Sequence, residues 1–152
     1  MKWIRALLLF GLIWIVQIWF LPLFAIGEIV PDPGLILLLI WAINRKSHHA
    51  YLIAFAFGFA LDLVASPLTG AHAFAYLPAL FYMYHFVTRD LKHHFIEWSF
   101  HILVPLLLFA LLYYQLTLYG EDFSFLAITW RQVLPATLYN WAIIIVIRGI
   151  QR

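Results

Sequence analysis

Seven carboxylate side chains and seven histidines hold most of the acid–base chemistry available to this chain. One of them, Asp62, stands apart because it sits inside an apolar stretch, AYLIAFAFGFALDLVASPLTG, from Ala50 to Gly70. An ionisable group inside a membrane helix costs a few kcal/mol or more unless it is paired or faces the bundle interior, so Asp62 is expected to point inward. Such a group suits a proton or cation relay or a substrate contact; the plainer role is a buried hydrogen-bond acceptor that fixes helix packing. The plainer role is favoured, because no chain of acids on other helices continues a pathway from Asp62. His72 and Arg131 fall near the same depth, and either can pair with it.

The remaining chemistry is thin. His48-His49 and His93-His94 are adjacent pairs, and neighbours on a helix diverge by about 100 degrees, so neither pair has the i, i+4 spacing of metal ligands. His94, Glu97 and His101 are better spaced, but helix-end residues meeting lipid headgroups explain them without a metal. His85 is expected inside the bundle. There is no Gly-x-Ser-x-Gly elbow, phosphate-binding glycine loop or His-Glu-x-x-His, and Ser66, Ser99 and Ser124 lack a base at useful spacing. No cysteine is present, which excludes disulfides, thiolate ligands and cysteine nucleophiles. No cofactor is expected.

The elements that position Asp62 follow from the surrounding spacing. Ala50, Ala54, Gly58 and Asp62 recur every four residues, a small-residue row along one helix face that lets a second helix approach closely. The helix ends at Ser66-Pro67-Leu68-Thr69-Gly70, where proline stops it and glycine tolerates the reversal. Apolar runs predict spans at about 4–26, 33–44, 50–65, 71–87, 96–119 and 131–148, in a single domain with no soluble part. Pro22 should kink or end the first. Asp32 and Pro33 form an N-cap and first helical position for the second, which at 12 residues and about 18 Å is short for a span. The stretch before Arg131 is expected to lie in the interface.

Composition and charge agree with that layout. The chain is 66% hydrophobic and 11% charged with a mean hydropathy of +0.95, far from the roughly one-quarter charged residues of soluble domains. An integral membrane protein is therefore expected: an all-α bundle of six transmembrane helices. With the N-terminus inside, Lys2, Arg5, Arg45, Lys46, Arg89, Lys92, Arg148 and Arg152 fall on the cytoplasmic side and only Arg131 outside, which also puts the C-terminus inside. Glu28, Asp32, Glu121 and Asp122 then face out. Trp3, Trp19, Trp98 and Trp130 fall near span ends, as an aromatic belt requires. The net charge of +2 is scattered in ones and twos at helix ends and makes no nucleic-acid surface.

Pro31-Asp32-Pro33 leading into an apolar helix that ends at Asn44-Arg45, then Gly58-x-x-x-Asp62-Leu63 and Leu68-x-Gly70, resembles the rod shape-determining MreD family. Length and span number are also similar, and Trp41 stands where the family commonly carries an aromatic residue, whereas the paired histidines are not part of the family pattern. The resemblance implies a multi-pass, non-enzymatic component of the bacterial cytoplasmic (inner) membrane. It would bind the single membrane helix of MreC and so connect MreB filaments to the peptidoglycan glycosyltransferase and transpeptidase that maintain rod shape. On this reading Ala50, Ala54 and Gly58 serve helix packing or partner binding, with Asp62 and Gly70 fixing the third helix and its turn. The rival reading comes from a similarity of fold between that family and the substrate-binding membrane (S) component of energy-coupling-factor vitamin transporters. There Asp62, His72, Arg131 and Glu28 would line a ligand pocket. The first helix lacks the docking pattern Ala-x-x-x-Ala, since Ala6 is followed four residues later by Phe10. A small intramembrane enzyme built on Asp62 and His72 is a third reading, without a defensible base and nucleophile pair.

Overall fold

The computed structural model describes residues 2–27, 29–44, 49–65, 70–87, 95–118 and 124–150. Among these the chain is all-helical apart from a single bridge between Ile26 and Ile29. Its elements are α1 (Lys2–Trp19), a 3-10 turn (Leu21–Phe24), α2 (Pro33–Asn44), α3 (His49–Ala65), α4 (Ala71–Phe86), α5 (Phe95–Thr117), a short α6 (Phe125–Ile128), a π-turn (Thr129–Val133) and α7 (Leu134–Ile150). Glu28, Arg45, Lys46, His48, residues 66–69 expected as a turn, Arg89, Lys92, His93, His94, Glu121, Asp122 and Arg152 lie outside the described residues. So do the side chains of Lys2, Trp3, Arg5 and Arg148.

The helices sort their residues by size as much as by polarity. On α3 the inward face carries Ala50, Ala54, Gly58 and Asp62, all buried, while Leu52, Phe55, Phe59 and Leu63 point out. Phe74 and Phe81 on α4, Phe100 and Leu107 on α5, and Leu138 and Val146 on α7 are likewise exposed. A soluble bundle keeps a polar face toward water; here large apolar side chains are exposed on α3, α4, α5 and α7. Leu35, Leu38, Leu39, Tyr76, Leu80, Ile102, Leu106 and Ile144 fill the interior. α4 is the central element, packed against α2, α3 and α5.

Several expectations are corrected. The first span does not continue to residue 26: α1 stops at Trp19, and the chain turns in a 3-10 helix around Pro22, whose missing N–H cannot continue the α-helical ladder. The last helix begins at Leu134 rather than Arg131, because the apolar stretch before it is already helical and runs into α7 through the π-turn. Trp98 is a core residue, not a belt residue, whereas Trp19 and Trp130 are exposed. His85 is exposed and donates from Nδ1 to the Phe81 carbonyl at 3.1 Å. Of the expected spans, the one in α5, Glu97–Thr117, is long and apolar enough by itself to cross a membrane; Pro33–Ala42 and His49–Val64 are apolar but shorter.

Candidate functional site

Both buried carboxylates lie at one end of the bundle, where α1, α3 and α5 finish and α2, α4 and α7 begin. Asp62 belongs to the last turn of α3 and His72 to the first turn of α4. Gly70 precedes that turn with φ of +100°, a left-handed conformation that favours glycine, and gives α4 no side-chain cap. Asp62 supplies the missing cap from the neighbouring helix. Its two carboxylate oxygens accept the His72 backbone N–H, each at 3.0 Å, Oδ2 accepts the Ala73 N–H at 3.2 Å, and the His72 ring donates from Nδ1 to Oδ1 at 2.6 Å. A carboxylate at the end of its own helix meets the unfavourable pole of that dipole, but here it also meets the favourable pole of α4 and takes up orphan N–H groups there.

Gly58 explains how the two helices come so close. A Cβ there would lie 2.6 Å from the Ala73 nitrogen and 2.9 Å from the His72 carbonyl carbon, both backbone atoms. Gly58, Asp62 and Gly70 are thus parts of one joint: the first removes the side chain, the second caps, the third reverses the chain. The small-residue row therefore leads to a close approach between α3 and α4 within the chain. Of the two partners expected for Asp62, His72 is the one observed; Arg131 is exposed, held out on the π-turn, and makes no bond to Asp62.

The second carboxylate, Asp32, is more than the N-cap read from sequence. Its Oδ1 does cap α2, accepting the Leu35 N–H at 2.9 Å. That oxygen also accepts Gln17 Nε2 of α1 at 3.1 Å, while Oδ2 accepts the Tyr76 hydroxyl of α4 at 2.8 Å. The Asp32 N–H donates to Asn140 Oδ1 of α7 at 2.8 Å, and Asn140 Nδ2 donates back to the Ala136 carbonyl at 3.0 Å. One residue thereby joins α1, α2, α4 and α7. Burial pushes the Asp32 carboxyl above the usual carboxylate range, opposed by His72 and by the bonds from Leu35, Tyr76 and Gln17. Gln17, Tyr76 and Asn140 were not legible as site residues, since each is a lone polar group in an apolar run.

A cavity of about 370 Å3 opens beside Asp32. Gln17, the α1–α2 connection at Pro22, Val30 and Pro31, and His72, Phe109, Tyr113, Tyr114 and Asn140 line it. The His72 ring lies 4.2 Å from that of Tyr113, and Phe109 stacks on Tyr113 at 5.6 Å. Gln17 Oε1 is buried without a hydrogen-bond partner. Glu28 lies outside the described residues, and Asp62 stands behind His72 without lining the cavity. The Asp62 carboxylate, engaged by three different donors, is not a free base. No family model, curated protein or solved structure matches the chain.

Proposed function

We propose that this chain is a six-span membrane scaffold of the MreD type, which binds the transmembrane helix of MreC and links cytoplasmic MreB filaments to cell-wall synthases. The observation that carries the reading is the α3–α4 joint. Gly58, Asp62 and Gly70, the residues on which the resemblance rests, act together there in packing and none is left free for chemistry. The apolar outer surface supports spans beyond α5, because Phe and Leu side chains face outward on helices too short to qualify alone. α2 and α3 would cross where the bilayer thins around the bundle.

With the small-residue row occupied by α4, the partner's helix needs another face. Leu8, Leu12, Ile15 and Trp19 form an exposed stripe on α1 at i, i+4, i+7 and i+11, the seam spacing of paired helices. Gly11 lies exposed beside it, with no atom within 4 Å of its Cβ position, leaving room for a close approach. Because the chain has no cysteine, single cysteines at Leu12 and at Leu52 on the α3 outer face give a clean cross-linking test in native membranes. Adducts with MreC at Leu12 and not at Leu52 are expected. Adducts at Leu52 alone would move the contact to α3, and absence of MreC from the purified complex would sink the scaffold reading.

The cavity favours a second reading, the substrate-binding component of a vitamin transporter. Recovery of an ATPase pair in place of MreC would select it.

A further inference from the structure

The scaffold reading makes no use of the cavity beside Asp32, yet its lining sets a buried carboxylate against aromatic rings. Five donors around it are engaged: Gln17 Nε2, the Tyr76 hydroxyl and the Leu35 N–H on Asp32, Asn140 Nδ2 on Ala136, and His72 Nδ1 on Asp62. Two acceptors keep capacity beside the Tyr113 and Tyr114 hydroxyls of the lining. Asp32 Oδ2 receives one donor and Gln17 Oε1 receives none. Among the described residues no lysine or arginine lines the cavity, and its α5 wall is aromatic: Phe109, Tyr113 and Tyr114.

From this lining we infer that the cavity binds a small primary amine, its ammonium group held between Asp32 and the α5 aromatic wall. Three N–H donors match the surplus acceptors, the positive charge compensates the buried carboxylate, and the ring faces attract a cation. A quaternary amine carries the charge without donors, and a diol carries donors without the charge; each leaves part of the site unsatisfied. The volume is at the lower end of the roughly 300–1,000 Å3 of small-molecule sites, which suits an amine of a few carbons. An ethanolamine phospholipid headgroup presents the same ammonium as a free amine. The site stands or falls separately from the scaffold reading.

The test uses the full chain, stripped of lipid in detergent, with ethanolamine as probe, choline as the donor-free cation and ethylene glycol as the neutral control. Calorimetry and thermal shift should detect ethanolamine and neither control, with affinity about tenfold or more weaker in Asp32→Asn. Tyr114→Leu, which removes part of the wall, should weaken ethanolamine binding severalfold in a chain that still melts cooperatively. A short-chain phosphatidylethanolamine that binds more tightly than free ethanolamine assigns the site to a headgroup; equal or weaker binding assigns it to a free amine. Absence of ethanolamine binding to the natural chain, or equal binding of ethylene glycol, overturns the proposal. If Asp32→Asn fails to fold, that contrast on the natural chain decides the matter alone.

Discussion

Replacing Gly58 by alanine sets two effects of similar size against each other. In a helix interior alanine is preferred over glycine by about 1 kcal/mol, so the change stabilises if nothing is in the way. Here the new Cβ would stand 2.6 Å from the Ala73 nitrogen, where ordinary contact begins at 3.4 Å, so the first turn of α4 must retreat by about 0.8 Å. The obstructing atoms are backbone and cannot swing aside. Overpacking of this kind costs about 1–3 kcal/mol. A retreat of that size also lengthens the bonds from His72 and Ala73 to Asp62, now 3.0 to 3.2 Å, beyond useful range. Losing a helix cap costs about 0.5–2 kcal/mol more. The net expectation is a destabilisation of about 0.5–4 kcal/mol, seen as a fall in Tm in detergent. Gly11→Ala is the control: nothing lies within 4 Å of its Cβ position, and its Tm should hold or rise. Because Gly58→Ala and Asp62→Asn strain the same bonds, their combined loss should be smaller than the sum of the single losses. A Gly58→Ala chain as stable as the natural one would refute the account of the joint.

Asp62→Leu leaves the orphan N–H groups of α4 and the His72 ring without an acceptor and should cost about 3–5 kcal/mol by the same melting assay. Asp62→Asn retains one acceptor oxygen and should lose less than half as much. Asn140→Ala removes the acceptor for the buried Asp32 N–H, and a Tm loss equivalent to about 1–3 kcal/mol is expected; no change in Tm would mean that α7 is held elsewhere. Amine affinity should rise with pH. The Asp32 carboxyl titrates above the usual carboxylate range and must shed its proton before it can pair with an ammonium, so calorimetry should show affinity tightening as pH rises, a trend that Asp32→Asn abolishes.

From sequence, the parts of the α3–α4 joint were legible because they are close together, but not that the small-residue face meets α4 rather than a partner, nor that His72 rather than Arg131 pairs with Asp62. Gly58 and Asp62 are one turn apart, His72 follows ten residues later, and proline and glycine between them announce the turn. The Asp32 network was not. Its members Gln17, Tyr76 and Asn140 are separated from Asp32 by 15, 44 and 108 residues, and a single tyrosine or asparagine in an apolar helix reads equally well as an interfacial residue. The same ambiguity misplaced Trp98, a core side chain with the sequence context of a belt residue. Helix ends were read closely where a breaker marks them, as at Pro33, and poorly where an apolar run hides a change of helix type, as between Phe125 and Leu134.

The two carboxylates also differ in when they can be satisfied during synthesis. Asp62 finds its partners within eleven residues, so α3 and α4 can form as one hairpin with the acid already hydrogen-bonded. Asp32 cannot complete its set until Asn140 emerges, near the end of translation. Until then the Asp32 N–H lacks its acceptor, and α7 acts as the closing member of the bundle. A ribosome stalled before residue 134 should therefore hold a protease-resistant α3–α4 pair beside a still-open polar end.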